Sequence, residues 1–305
     1  MMRRGVALLL TLVVVMLMTI TIGWSIHTLS EAKKSVEKER LMIQSAIFIE
    51  DVLGILKNSP EINTAAKSSN PAALFALLGS ASMLPFESHG YKVLISLKSA
   101  RDKVNINTFS KNATKKETLR RKRLADFLRA HGLGDDLYYY ILDAMSGFKA
   151  DGSYKSDLFY NDPELYRNAI VSPRQMEKIL LVYAKKDGID PFSKLDFDKI
   201  FSYDEDANIK LDLNYATPEV WEFVAGVSQE RAAKLAENAG AYQNLNELGL
   251  NEEQKKLLSL FEYSFFEPVI TVHIDIFKED ITETVEFEYD IKKKKAKRFV
   301  FEIQN

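Results

Sequence analysis

The chain has 305 residues, with 41 Lys and Arg against 43 Asp and Glu, and a formal net charge of −2. A charge balance near zero gives no overall electrostatic attraction to nucleic acid or anionic lipid. Cysteine is absent, which excludes disulfide bonds and thiolate metal sites. The four histidines, His27, His89, His131 and His273, do not have the spacing of metal ligands.

The first thirty residues predict a membrane anchor. A basic start with Arg3 and Arg4 is followed by an apolar run over 6–22, and the next charged residue is Glu31. About 20 uncharged, mostly apolar residues are enough to cross a bilayer as a helix. The basic residues before the run favour a cytoplasmic N-terminus. We therefore expect the chain from Glu31 onward to lie outside the cytoplasmic membrane.

Three kinds of N-terminal segment compete for this pattern. A cleaved secretory signal has a shorter apolar core and a small-residue cleavage site, and Gly23–Thr28 offers no convincing site. A plain signal anchor fits the hydropathy. In the third kind, a prepilin-type leader, the cut lies before the apolar run, between Gly5 and Val6. The direct passage from basic residues through glycine to the apolar run is typical of this third kind.

A single long helix over 6–57 is predicted, with Ser59-Pro60 after its end. Its outer part is expected to present one apolar face. The residues of that face are Leu41, Ile43, Ile47, Phe48, Val52, Ile55 and Leu56.

The remainder predicts strands on either side of a helical block. Residues 58–87 predict a loop with a short helix at Ala72–Leu78, and Tyr91–Leu97 predicts a strand with Val104–Asn107 as its hairpin partner. Helices are predicted at Leu119–His131, Asp135–Met145, Pro163–Arg167, Arg174–Lys185, Pro218–Val224, Gln229–Ala239 and Glu252–Phe261. Strands are predicted at 269–277, 283–289 and 298–303, with Lys292–Lys295 as a solvated turn. This order indicates an α+β fold with a large insertion.

One segment within the helical region, 211–248, is similar to a helix-hairpin-helix unit. Such a hairpin binds DNA phosphates through a glycine-rich turn and nearby cations, here Gly226, Ser228, Arg231 and Lys234. A membrane-anchored DNA receptor of the competence type is therefore the alternative function. The turn lacks its second glycine and lies among acidic residues, so a packing hairpin is favoured and nucleic acid is not expected as a partner.

Taken together, these segments resemble the K-type minor pseudopilins of type II secretion systems (general secretion pathway protein K). Arg4–Leu10 matches that family's leader junction, and Val104–Asn107 and Leu211–Val220 resemble its two asparagine-containing segments. After cleavage at Gly5, the fifth mature position is Leu10, where most pilins carry glutamate. The lack of this glutamate is a feature of the K type.

The resemblance implies a pilin-like fold: a long N-terminal transmembrane and stalk helix, a small antiparallel sheet and a large inserted helical domain. The implied ranges are a leader at 1–5, the helix at 6–57, the pilin-like core at 58–110 and 262–305, and the inserted helical block at 111–261. It also implies a non-enzymatic subunit at the tip of a periplasmic pseudopilus, anchored once in the inner membrane. The implied partners are minor pseudopilins of the I, J and H types and the prepilin peptidase.

Members of this family often bind calcium in the helical block. The corresponding acidic residues here are Asp143, Asp151, Asp157, Asp162 and Glu164. Calcium takes six to eight oxygen ligands, and the segment 151–157 does not match an EF-hand loop. Calcium is therefore an expectation that rests on the resemblance. No nucleophile–base set or phosphate-binding loop points to an enzyme.

Overall fold

The structure is a computed structural model that describes the backbone of residues 2–68, 70–81, 83–88, 90–278 and 281–304. Side chains are described from residue 24 onward, apart from positions 26, 30, 34, 66, 68, 88 and 304 within those ranges. The α-helices of this part are α1 (Met2–Asn58), α2 (Pro60–Ser68), α3 (Pro71–Ser80), α4 (Lys115–Ala130), α5 (Asp135–Ala144), α6 (Leu158–Asn161), α7 (Pro173–Asp187), α8 (Phe197–Ile200), α9 (Pro218–Ala225), α10 (Gln229–Glu237) and α11 (Glu252–Leu258). Its strands are β1 (Leu84–Ser88), β2 (Tyr91–Ser99), β3 (Val104–Asn105), β4 (Phe201–Ser202), β5 (Leu211–Asp212), β6 (Tyr263–Ser264), β7 (Val269–Lys278), β8 (Ile281–Asp290) and β9 (Lys295–Gln304).

The main sheet has the strand order β1-β2-β7-β8-β9, and each pair of adjacent strands in it is antiparallel. Strands β7, β8 and β9 form the predicted meander, while β2 and β7 pair across the long segment that carries the helical block. Side chains along β8 alternate between buried and partly exposed positions, as expected for a sheet with one covered face. The mixed α+β class with an antiparallel sheet is therefore confirmed.

The hairpin partner of β2 is β1, so the prediction that Val104–Asn107 fills this role is wrong. Ser88 pairs with Tyr91 at the closed end of the hairpin, and Gly90 has a φ of +74°, which favours glycine. Residues Val104–Asn105 instead pair in parallel with Phe201–Ser202. The proline at position 85 weakened the strand signal of β1, because proline cannot donate to a ladder.

Two helix predictions also need correction. Residues 58–87 contain α2, the whole of a longer α3 and most of β1, where the sequence predicted a loop and one short helix. Ser59 begins α2 because its hydroxyl accepts a hydrogen bond from the Ile62 amide at 3.2 Å, with proline at the first helical position. The segment Pro163–Arg167 forms turns, and the short α6 lies before it.

Buried apolar residues form two clusters. One lies between α1 and the main sheet and includes the inward-facing residues of β7 and β8. The other fills the helical block and also takes in Val104–Phe109. At its centre, the Phe223 ring lies 4.8 Å from Phe127, 5.3 Å from Phe261 and 5.5 Å from Phe201. The helical block therefore has an aromatic core of its own.

The segment Val104–Asn107, the first of the two asparagine-containing segments, is held by hydrogen bonds of a buried side-chain amide. The Asn107 side chain donates to the carbonyl oxygens of Ile170 and Asp204, both at 2.8 Å, and accepts from the Ile170 amide at 2.8 Å. Because these partners lie 63 and 97 residues from Asn107 along the chain, one side chain joins distant loops of the helical block. A buried amide that is fully bonded fixes such a junction.

The second segment, Leu211–Val220, has the same kind of junction. The Asn214 side chain donates to the carbonyl oxygens of Tyr242 and Phe265 and accepts from the Tyr242 amide at 2.9 Å. The neighbouring Asp212 is fully buried and accepts from the amides of Asn214 and Glu267. Burial raises the pKa of Asp212 to about 6, against the effect of these two hydrogen bonds.

Candidate assembly surface

Helix α1 packs on the main sheet through one face, called here the inner face. Its residues recur every three or four positions, which places them on one side of a helix. They are Leu41, Ser45, Phe48, Val52 and Leu56, and all are buried. The Phe48 ring contacts Phe86 of β1 and Tyr91 of β2 edge-on, at 5.7 and 6.0 Å. Burial of this face holds the described part of α1 against the sheet.

A buried polar pair lies within this interface. The Ser45 hydroxyl oxygen lies 2.8 Å from the Leu41 carbonyl oxygen and 2.5 Å from Oε2 of Glu283, which is 1 % exposed. A hydroxyl has one proton to donate, so both contacts are hydrogen bonds together only when Glu283 is protonated and donates to Ser45. Burial raises the pKa of the Glu283 carboxyl, although the Ser45 contact opposes this.

The opposite side of α1 carries a second apolar surface. The prediction of one apolar face is wrong for Ile43, Ile47 and Ile55, which are exposed. At about 100° per residue, Ile43 and Ile47 point directly away from Ser45 at the centre of the inner face. Leu29 and Val36 have the same direction and are also exposed. We call Leu29, Val36, Ile43 and Ile47 the outer stripe.

Exposed charged side chains border the outer stripe on both sides. On the same helical geometry, Lys33, Arg40 and Asp51 lie along one border, whereas Glu39 and Glu50 lie along the other. Lys33 also pairs with Glu37 at 3.4 Å. An apolar row between charged borders is suited to a partner helix, because the borders influence its orientation.

A further exposed apolar surface is the edge strand β9. Its outer side has no neighbouring strand among the described residues. Phe299, Val300 and Phe301 are all exposed, and Phe299 stacks on Phe287 of β8 at 4.9 Å. Successive strand residues point to opposite faces, so this edge exposes apolar groups on both of its faces. Long apolar edges of this kind are sites of association.

A bulge fixes this part of β9 to the helical block. The pairing of β8 and β9 shifts between Glu286 and Glu288, and Arg298 has a φ of +60°. Its guanidinium donates to Asp204 at 2.9 Å and to Glu288 at 2.7 Å. Arg101 donates to the same Glu288 at 2.9 Å. The position of the β9 edge is therefore set by a partly buried network of charges.

Three of the five predicted calcium ligands, Asp143, Asp157 and Asp151, already accept hydrogen bonds from protein groups. Oδ2 of Asp143 accepts from the amide and hydroxyl of Ser156, both at 2.7 Å. Asp157 accepts from the Tyr140 hydroxyl and pairs with Lys186 at 3.4 Å, and its pKa is lowered mainly by the Tyr140 hydrogen bond. The exposed Asp151 accepts from the Ser153 amide at 3.1 Å.

The other two predicted ligands, Asp162 and Glu164, follow in the turn after α6. Across the described residues, no three His, Asp or Glu side chains are grouped to hold a metal ion. The arrangement of the five carboxylates does not fit the six to eight oxygens that calcium requires. Calcium binding remains a prediction from the resemblance.

The helix-hairpin-helix residues are arranged for packing. Gly226 ends α9 with a φ of +65°, and a side chain there would meet Leu257 of α11 at 2.8 Å. Ser228 begins α10 by accepting from the Arg231 amide. The Arg231 guanidinium donates to the Leu248 carbonyl at 2.7 Å, and Lys234 pairs with Glu230 at 2.6 Å. The cations proposed for phosphate therefore have protein partners.

The leader residues Gly5, Val6 and Leu10 lie outside the residues whose side chains are described. The same holds for the apolar run of 6–22 on which the predicted anchor depends. Among the residues that were described, no helix is apolar over a length sufficient to cross a bilayer. Cleavage and the membrane anchor thus remain predictions.

The sequence matches no protein-family profile and no curated protein. The fold, by contrast, is similar to that of a chain in the solved complex of GspK, GspI and GspJ from the type II secretion system of enterotoxigenic Escherichia coli. The match has a TM-score of 0.53 at 9 % identity, and it covers 88 % of this chain and 99 % of that chain. The predicted resemblance to the K-type minor pseudopilins is confirmed at the level of the fold.

Proposed function

We propose that this protein is the tip subunit of a type II secretion pseudopilus, a non-enzymatic minor pseudopilin that starts assembly for export across the outer membrane. The observation that carries the proposal is the similarity in fold to the GspK–GspI–GspJ complex over 88 % of the chain. At 9 % identity this similarity concerns the fold. The role is inferred from the fold together with the surfaces described above.

The two faces of α1 support an assembly role. The inner face already covers the sheet, so the outer stripe is a second apolar surface that folding leaves exposed. Exposed apolar rows on a long helix are typical of helix–helix interfaces. We infer that the outer stripe contacts the stalk helix of another minor pseudopilin, of the I, J or H type.

The N-terminal residues supply the remaining parts of the proposal. We propose cleavage by a prepilin peptidase between Gly5 and Val6, with the apolar run kept as a single inner-membrane anchor. The C-terminal part then lies in the periplasm. Leu10 at the fifth mature position supports a place at the tip, because no subunit ahead offers an amine to a glutamate there.

The first experiment is N-terminal sequencing of the protein purified from its host. We expect the mature chain to start at Val6, with the apolar run retained. A start at Met1, or a start beyond residue 22, contradicts the proposal. The same preparation tests partners, because neighbouring pseudopilin-like proteins should co-purify with the chain in detergent.

The second experiment maps the interface. Since the chain has no cysteine, a benzophenone can be attached at one engineered position. Ile43→Cys places it on the outer stripe, and Ile55→Cys is a matched control, because these residues are 60 % and 64 % exposed and Ile55 lies off the stripe. We expect photo-crosslinks to a second pseudopilin from position 43 and few from position 55. Equal yields from both positions contradict the proposed interface.

No observation favours the DNA-receptor alternative, because Arg231 and Lys234 have protein partners. A retardation assay with duplex DNA at low salt tests it directly. The proposal predicts no retardation, whereas salt-sensitive binding supports the alternative.

A further inference from the structure

The loop between α5 and α7 contains an arginine that is stacked on aromatic rings. The Arg167 guanidinium carbon lies 4.1 Å from the centre of the Phe159 ring and 5.6 Å from that of Phe148. The loop is closed below it, because the Asn168 amide donates to the Ser146 carbonyl at 3.1 Å. Stacking on two rings fixes the plane of the guanidinium and leaves its N–H groups free to bond at the edge.

This guanidinium lacks a polar partner. Its Nε–H is buried and makes no hydrogen bond, and none of the described acidic residues forms an ion pair with it. Other arginines of the helical block are bonded: Arg121 donates to the Phe109 carbonyl and Arg123 to the Phe223 carbonyl. Only Nε–H of this guanidinium is buried, so its terminal N–H groups can still bond to a partner at the surface.

The surroundings of Arg167 have the composition of a binding surface. The Phe148 ring is 75 % exposed although it contacts the guanidinium. Tyr160 and Tyr166, the neighbours of Phe159 and Arg167 along the chain, are exposed as well. Tyr, Phe and Arg are enriched at the centres of protein interfaces, where a few such residues contribute most of the affinity.

We propose that this surface, Phe148, Phe159 and Arg167, binds a protein partner that presents an Asp or Glu carboxylate beside an apolar side chain. A carboxylate accepts two parallel hydrogen bonds from the two terminal amino groups of a guanidinium, and these groups of Arg167, unlike its buried Nε–H, can be reached by a partner. The apolar neighbour of the carboxylate packs on the exposed Phe148 ring. This site lies on the helical block and does not depend on the proposed secretion role.

The test uses the full chain in detergent and a defined probe, the labelled peptide acetyl-Gly-Phe-Glu-Phe-Gly-amide. Fluorescence anisotropy gives its affinity, and the Nε–Hε signals of [15N]arginine-labelled protein give its location. We expect the matched peptide with Gln in place of Glu to bind on the order of tenfold more weakly, since the charge-assisted pair is lost. We also expect one Nε–Hε signal to shift, and that signal to be absent in Arg167→Lys.

Variants separate this site from general charge attraction. Arg167→Lys keeps the charge but loses the paired hydrogen bonds and the stacking, so it should weaken the Glu peptide by a similar factor. Arg129→Lys is the control, because the Arg129 guanidinium already pairs with Asp126 and Asp135. The proposal is overturned if the Glu and Gln peptides bind equally, or if both variants weaken binding equally. Preference for a Gln peptide with a free C-terminal carboxylate also overturns it, in favour of a chain terminus.

Discussion

The helical block and the α1–sheet half of this protein differ in how their apolar cores end. The helical block closes on itself: Phe223 and its aromatic neighbours are buried, and Asn107 and Asn214 bond the loops together from inside. The α1–sheet half buries one face of α1 and then presents further apolar residues on the outer stripe and along β9. The difference indicates that folding completes the core of the helical block and leaves there the local surface around Arg167, whereas the α1–sheet half leaves apolar rows along a helix and an edge strand for association.

The largest effect is expected in the aromatic core of the helical block. Phe223→Ala should lower the free energy of unfolding by about 3–5 kcal/mol, because it leaves a cavity among rings that already pack closely. Chemical denaturation followed by circular dichroism measures it. Phe192→Ala is the control, since that ring is exposed and its loss should cost far less. Equal costs for both substitutions would mean that the block is not closed around Phe223.

A smaller loss is expected from the amide junction. Asn107→Leu keeps the approximate size of the side chain but leaves the Ile170 amide and two carbonyls without their partner. Each orphaned buried group costs about 1–3 kcal/mol, so we expect a loss of at least about 2 kcal/mol. Asn208→Leu, at an exposed position, should change stability little. A neutral Asn107→Leu would show that aromatic packing alone closes the block.

The sequence predicted the three C-terminal strands and most helices of the block well, because their periodicity and capping residues are local signals. Ser172 before Pro173 and Thr217 before Pro218 mark helix starts in the sequence and act as caps in the structure. The pairing of β3 with β4 was missed, because Val104 and Phe201 are joined by contacts distant in sequence.

The candidate surfaces were predicted less well than the fold. Hydropathy identified Ile43 and Phe48 as apolar, but it did not separate the outer stripe from the inner face. The separation was accessible from helical geometry, since Ile43 lies about 160° around the helix from Ser45. The β9 edge and the Arg167 stack were not accessible, because strand order and the packing of the loop decide them.

The buried Glu283 beside the inner face of α1 offers a test of stability against pH. The folded-state pKa of Glu283 is raised by burial above its ordinary value, so its stabilising contribution is fully present below about pH 4.3. That contribution is lost as the pH rises through the raised pKa. Glu283→Gln keeps a donor toward Ser45 without a charge. We expect the variant to be more stable than the wild type at pH 8 and similar to it at pH 4.

Asp212 titrates in the same direction, with a pKa of about 6, so the informative quantity is the difference between variant and wild type at each pH. Denaturation midpoints at pH 4, 6 and 8 supply it. Ser45→Ala is the companion variant, because it removes the acceptor of the protonated Glu283 and should destabilise the protein at every pH. A constant difference between Glu283→Gln and wild type across this range would mean that the pKa of Glu283 is the same in the folded and unfolded states.

The smallest effect on folding is expected on the outer stripe, and there the comparison between the regions is most direct. Ile43→Glu places a charge on an exposed position, so the free energy of unfolding should change by no more than about 0.5 kcal/mol. Ile49→Glu puts the same charge on the buried side of α1 and should destabilise the chain severely. If folding leaves the stripe for a partner, Ile43→Glu loses co-purification of neighbouring pseudopilins while its denaturation curve matches the wild type. A variant that unfolds as readily as Ile49→Glu would instead assign the stripe to the fold itself.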